Sequence, residues 1–255
     1  MEILPIKLAA LVPPKDELVA KILASPLKLK DNDVLAISSK VVSIDEGRCV
    51  PSEQASKTDL IVRESQLYTQ PKHTERWGYL FTITHGILGG SAGIDLSNGK
   101  DHFILWPKRP MQSAERLQKE LMRAYKIKKL GIVITDSTSR PLRRGAMGFA
   151  LAWAGFEPLY DYRGTKDIFG RAIKVEQANL VDGLAAAAVL MMGEGAEQTP
   201  IALIRNAPQK VWNGRKTKRG WSKFIVPLKD DLFAPFFETA AWKKGGAYRS
   251  RSSQR

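Results

Sequence analysis

Apolar, β-forming runs alternate along this chain with stretches of helical spacing, and that alternation restricts the fold more than any other feature. The runs DVLAIS (Asp33–Ser38), YLFTIT (Tyr79–Thr84), HFILW (His102–Trp106), LGIVIT (Leu130–Thr135, stopping at Asp136) and PIALIR (Pro200–Arg205) predict strands. In AMGFALAWAGF (Ala146–Phe156), glycines among β-formers favour strand over helix. Between these runs, KDELVAKI (Lys15–Ile22), KTDLIVRESQL from Lys57 and LAAAAVLMMG (Leu184–Gly193) predict helices. The segment SAERLQKELMRAYKIKK predicts a further helix, with Ser113 as its N-cap and Leu117, Leu121 and Tyr125 along one face. There is no internal repeat. The pattern predicts an α/β or mixed α+β layout. At 255 residues and 44% hydrophobic side chains the chain can bury one large core. We place a single catalytic domain over residues 1–240 and assign residues 241–255 to a disordered basic tail.

Composition excludes several classes. No apolar run approaches the roughly 18 to 20 residues of a membrane span, and the start MEILPIKLAALVPP lacks the charged and apolar regions of a secretory signal. The single cysteine, Cys49, permits neither an internal disulfide nor a cysteine zinc site. A reducing compartment, the cytoplasm, and no membrane partner are the expectation. The formal charge of +14 invites a nucleic-acid reading. Yet eleven of those excess charges lie in two acid-free stretches, Ala207–Lys223 and Ala240–Arg255, so the body of the chain is nearly balanced. Such stretches are either solvated loop and tail or an anion-gathering surface, and the second could serve a charged small ligand as well as a polynucleotide.

Three acidic positions carry candidate chemistry. The stretch ITHGILGGSAGIDLSNG (Ile83–Gly99) places Asp95 and Asn98 behind a glycine-rich turn reading G-x-x-G-G-x-x-G. That spacing matches neither a dinucleotide fingerprint nor a Walker loop, and a structural turn stays open beside an anion cradle. Asp136 ends an apolar strand and precedes STSRPLRRG, with Arg140, Arg143 and Arg144. Glu194 sits at an element end in MMGEGAEQTP. Singly, each reads as a turn residue or cap. Together, carboxylates at element ends beside arginines suit Mg²⁺ or Mn²⁺ bridging phosphates, because these hard ions favour oxygen ligands. No Ser/His/Asp or Cys/His set offers a nucleophile. His73 and His102 read as surface or strand residues, and His85 in the glycine turn stays open between function and plain hydrogen bonding.

In order, VLAISSKVVSIDEGR, SAGIDLSNG, GIVITDSTSRPLRRG, DYRGTKDIFGR and MMGEGAEQTPIALIR resemble the coenzyme F420-0:L-glutamate ligase family, from about Asp31 to Arg205, with DDLFAP at Asp230–Pro235. The resemblance implies a family-specific ligase fold of mixed sheets flanked by helices, in an intertwined homodimer. It implies a GTP-dependent γ-glutamyl ligase that activates a carboxylate of F420-0 or its mono-glutamate as an acyl phosphate, then joins it to the amine of L-glutamate. Two divalent metals, Mg²⁺ or Mn²⁺, would be held by Asp95, Asp136, Ser137 and Glu194, with Asp95, Asp136 and Arg140 as the catalytic set. GTP would be contacted by Ser39, Lys40, Ser43, Asn98 and the segment Met192, Gly193, Glu194, Gly195, Ala196, Glu197, Gln198 and Thr199, with Leu4 and Pro5 a loose match to an N-terminal contact. The chain departs from the family pattern in having Ser137 for threonine, Ser139 for a frequent glycine and Gly183 for an acid, and in its spacing through VPPKDEL. Two alternatives stand beside this reading. One is the same chemistry on another acceptor, such as a folate. The other is a nucleic-acid binder using Ala207–Lys223, with Trp212 and Trp221, and the tail.

Overall fold

Two runs of six residues, Asp33–Ser38 and Leu130–Thr135, place hydrophobic residues on both sides of the pleat, as strands buried on both faces do. In the computed structural model, which describes residues 1–70, 79–212 and 224–248, they lie side by side as parallel neighbours. The chain divides into two compact units. The first contains Met1–Ala10, Glu17–Val42 and Arg109–Phe224; the second contains Leu11–Asp16, Ser43–Lys108 and the chain from Ile225.

The first unit is built on a five-stranded sheet of β1 (Glu2–Ile6), β2 (Asp33–Ser38), β8 (Leu130–Ser139), β9 (Ala146–Ala154) and β12 (Ile201–Arg205), in the order β1-β12-β2-β8-β9. Only the β2–β8 pair is parallel. Pro5, which cannot donate to a ladder, is confined to the edge strand β1. Helix α5 (Leu180–Met192) packs on one face, where Leu184, Ala185 and Ala188 meet Val34, Ala36, Val133 and Ala202. The alternating residues Leu35, Ile37, Ile132 and Ile134 point the other way and are equally buried. Helix α4 (Pro110–Tyr125) packs on β8 and β9 and buries Ala114, Leu117 and Leu121, with Tyr125 half-buried beside them. Its start differs from expectation: Arg109 is the N-cap and Pro110 occupies the first turn, where a proline costs no hydrogen bond. Ser113 is therefore inside the helix, buried, with its hydroxyl donating to the Arg109 carbonyl. Helix α1 (Leu18–Ala24) begins three residues later than the sequence suggests. A short ladder of β10 (Leu159–Asp161) and β11 (Gln177–Asn179) leads into α5, which Asn179 caps by accepting from the Asp182 N–H.

The second unit holds β4 (Leu67–Thr69), β5 (Phe81–Thr84), β6 (Ile87–Gly90) and β13 (Lys243–Lys244), in the order β13-β4-β5-β6, and a separate pair of β3 (Cys49–Pro51) and β7 (His102–Ile104). Helix α3 (Lys57–Glu64) supplies Leu60 and Ile61 to a cluster with Leu80, Ala92, Ile94, Phe103 and Leu105. A last short helix, α6, covers Ala234–Glu238. Helix α2 (Ser39–Asp45) follows β2 directly and carries the chain from the first unit into the second. No helix among the described residues is long and apolar enough to cross a membrane. His73, Trp221, residues 213–223 of the basic stretch Ala207–Lys223 and residues 249–255 of the tail lie outside the described residues.

Candidate active site

The parallel register of β2 and β8 sets Ser38 opposite Thr135, so the residues that follow them, Ser39 at the start of α2 and Asp136 on β8, also fall together. Ser39, buried at the start of α2, donates its hydroxyl to Asp136 Oδ2 at 2.9 Å. Asp136 Oδ1 accepts from the Ser137 N–H at 2.7 Å. The Ser137 hydroxyl in turn donates to Glu194 Oε2 at 3.2 Å. Three elements thus bring Ser39, Asp136, Ser137 and Glu194 into one chain of oxygen contacts at the carboxyl ends of two parallel strands. That is where α/β sheets bind their ligands.

Asp136 does not end its strand, as the sequence suggests. Strand β8 runs on to Ser139, because β9 continues to pair with it through Asp136↔Phe149 and Ser139↔Ala146. Asp136 is preceded by a bulge: Ile134 pairs with Ala152 and Thr135 with Ala150, leaving Leu151 as the extra residue on β9. Bulges re-aim the side chains beside them and are common next to active sites. Arg140 lies beyond the strand, exposed at the start of the turn that leads to β9, with Arg143 and Arg144 on the same turn.

Glu194 follows α5 immediately, at a glycine C-cap, Gly193, with φ +79°. The loop from Gly193 to Gln198 is exposed except for half-buried Gly193, but its ends are tied. The Thr199 hydroxyl donates to the Met192 carbonyl at 2.5 Å, and the Leu8 N–H donates to the Gln198 carbonyl at 3.1 Å. The segment expected to contact nucleotide as a block is therefore not uniform. Met192 points into the core cluster under α5, whereas Glu194, Gly195, Ala196, Glu197 and Gln198 are exposed. Lys40 is half-buried one residue after Ser39. Ser43 is buried in the second unit, with a hydroxyl that makes no hydrogen bond.

Asp95 and Asn98 belong to the second unit. Asp95 does not cap β5: the run that the sequence reads as loose turn folds back as strand β6, and Asp95 follows a short helical turn at Ser91–Gly93. Its backbone bridges Ile104, and its carboxylate accepts from the N–H and hydroxyl of Ser97. Asn98 is exposed at φ +54°, in a left-handed conformation that asparagine tolerates well. Two of the loop glycines have a packing reason that the sequence does not reveal. A Cβ on Gly90 would sit 2.1 Å from the Tyr79 ring, and one on Gly93 would sit 1.9 Å from the Trp106 ring. His85 and Gly86, both at positive φ, form the two-residue turn of the β5–β6 hairpin. Burial pushes the His85 imidazole below its usual pKa, helped by nearby Arg48, and the ring lies 6.3 Å from that of Trp106. These contacts assign His85 to the turn and its packing.

Among the described residues, no group of three or more His, Cys, Asp or Glu side chains is arranged to hold a metal ion. The first unit instead offers two carboxylates, Asp136 and Glu194, linked through the hydroxyls of Ser39 and Ser137. That donor set consists only of hard oxygens. It fits Mg²⁺ or Mn²⁺ in the mode where one or two carboxylates hold an ion whose remaining ligands are water and substrate phosphate.

Comparison with known proteins identifies the family. The family profile described as F420-0:Gamma-glutamyl ligase matches residues 7–206, which include every element of the Ser39–Asp136–Ser137–Glu194 cluster. The chain is 32% identical over 219 residues to the Coenzyme F420:L-glutamate ligase of Methanocaldococcus jannaschii, covering 80% of this chain and 86% of that one. It is 32% identical over 245 residues to the protein of that name from Methanococcus maripaludis, covering 91% and 96%. The corresponding Halobacterium salinarum protein is 35% identical over 207 residues, covering 73% and 80%. A profile match across most of the sequence, with relatives above 30% identity along most of their own length, shows that this chain belongs to the F420-0:gamma-glutamyl ligase family and is an enzyme that forms C–N bonds.

Proposed function

We propose that the protein is a GTP- and divalent-metal-dependent γ-glutamyl ligase that joins L-glutamate to a carboxylate of F420-0 or its mono-glutamate. The observation that carries the reading is the pairing of Asp136 with Ser39 and of Ser137 with Glu194 at the carboxyl ends of β2 and β8. Asp136, Ser137 and Glu194 would hold the cation, with Asp95 and Asn98 supplying metal and nucleotide contacts as the family resemblance implies. When bound, the cation withdraws charge from the transferred phosphoryl group. Ser39 keeps the Asp136 carboxylate in one orientation, and the Ser137 hydroxyl does the same for Glu194, so less reorganisation accompanies substrate binding. Arg140, on the turn after β8, is in the part of the chain suited to phosphate. The acceptor carboxylate attacks the γ-phosphorus, giving an acyl phosphate and GDP. The glutamate amine then attacks the acyl carbon and releases phosphate, so the remaining task is to position two substrates rather than to provide a nucleophile. A homodimer is part of this reading. Ile168, Phe169 and Val175, all between 84% and 92% exposed between β10 and β11, support burial against a second copy.

The test is mass spectrometry of reactions containing GTP or ATP, Mg²⁺ or Mn²⁺, L-glutamate and a panel of acceptors that includes F420-0 and a folate. A gain of one glutamyl unit on F420-0 is the expected result, and a gain on the folate alone would reassign the acceptor. Asp136→Asn and Asp95→Asn should each lower turnover by about a hundredfold or more while the melting temperature stays near wild type. Near-normal turnover in either variant would refute the metal assignment for that residue.

A further inference from the structure

We propose that Glu197 is a positioning residue: its carboxylate clamps the loop between α5 and β12 in the conformation that holds Glu194 against Ser137. The proposal rests on the reading of Glu194 as a cation ligand and adds to it the element that keeps that ligand in place.

The loop needs such an element. Glu194 lies between two glycines, Gly193 and Gly195, and glycine admits more backbone conformations than any other residue. Left to itself, this segment would spread the Glu194 carboxylate over many positions, and Ser137 would meet it only part of the time. Glu197 removes that freedom from both sides of Glu194. Its Oε2 accepts the Gly195 N–H at 2.8 Å. Its carboxylate also lies flat against Gly193, where a Cβ would come within 2.4 Å of Glu197 Cδ and 2.6 Å of Oε1. A side chain at this position would displace the carboxylate from its place, and φ +79° itself favours glycine. Gln198, next in sequence, is held at φ +59°, and its carbonyl is fixed by the Leu8 N–H. Thr199 then returns to the Met192 carbonyl, closing the loop on the helix end from which it left. These last contacts fix the ends of the loop, and Glu197 fixes its middle.

The family resemblance groups Glu197 with the nucleotide contacts. In the structure its carboxylate is turned onto its own loop, bonded to a backbone N–H, and an anion so placed acts on the site through Glu194 rather than on a phosphate that would repel it.

The experiment compares full-length wild type with Glu197→Gln, Glu197→Ala and Glu197→Asp. Free Mn²⁺ is titrated by electron paramagnetic resonance, and amide exchange of the 193–198 segment is followed by mass spectrometry. Gln keeps an acceptor at the same reach, so Glu197→Gln should hold both Mn²⁺ affinity and exchange within about threefold of wild type. Ala loses the acceptor and Asp is a methylene short. Both should speed exchange of the loop and weaken Mn²⁺ by about tenfold, the lower end for loss of a ligand-orienting contact. In a Glu194→Ala background, Glu197→Ala should weaken Mn²⁺ no further. Equal loss of affinity in Glu197→Gln and Glu197→Ala would make Glu197 a ligand in its own right and overturn the proposal. Unchanged loop exchange in Glu197→Ala would overturn it as well. If wild type binds no Mn²⁺, the metal reading of the site fails separately, and the exchange measurement still decides whether Glu197 clamps the loop.

Discussion

At the scale of single residues, the sequence announces which groups are chemical but not what each one touches. Ser39 and Asp136 are 97 positions apart, and only the parallel register of their strands makes them partners. His85 is the opposite case, a residue that looks available for chemistry and is used for a turn. Its burial carries a consequence for pH. The native pKa lies below the ordinary 6.5, so between those two values the unfolded chain binds the extra proton and the folded one does not. Stability therefore falls as pH drops through about 6.5 and levels off below the native pKa. Asparagine accepts the same positive φ without titrating, so His85→Asn should abolish this part of the acid-side decline. Melting curves between pH 5 and pH 8 would show it as a flatter profile for the variant, and parallel profiles would contradict the assignment.

At the scale of elements, the long strands and helices were legible because periodicity reports burial. Strands β2 and β12 fall within a residue of where their apolar runs place them, and β9 stops two residues short of its predicted end. The short elements were not legible. Strand β6 contains two glycines and reads as turn until Phe81 and Thr82 are seen to pair with them. Strand β8 outruns its apolar stretch because hairpin pairing with β9 holds residues that have no hydrophobic pattern. The same hairpin makes a testable demand on Gly148, since a Cβ there would stand 2.6 Å from Val189 Cβ and 2.9 Å from the Ala185 carbonyl on α5. Gly148→Val should push α5 away from β9, at a cost of about 1–3 kcal/mol as for other overpacked sites. Because Glu194 follows α5 just past its Gly193 cap, turnover should fall further than the loss of folded protein explains. A denaturant titration alongside the ligase assay separates the two effects, and wild-type stability in the variant would mean that α5 is free to adjust.

At the scale of the whole molecule, the segment between β10 and β11 presents Ile168 and Phe169 almost fully to solvent, and the proposed dimer would cover them. The tip is preorganised: Asp167 Oδ1 accepts the N–H groups of both Phe169 and Arg171. If these residues are buried by a second copy, light scattering should give twice the 28.4 kDa chain mass for wild type and a concentration-dependent shift toward monomer for Phe169→Asp. A monomeric wild type would remove the dimer from the proposed function and leave the chemistry of the first unit untouched.

The sequence by itself determined the fold class, the family and the acidic residues to test, because hydrophobic period and ordered motifs are local properties that survive without a structure. Tertiary structure alone decided that Asp136 continues a strand past a bulge, that Ser39 orients it, and that Gly90 and Gly93 leave room for Tyr79 and Trp106. The reason is distance along the chain. A hydrogen bond or a steric fit between residues far apart leaves no trace in either neighbourhood, and it exists only once the sheet has set which strands lie side by side.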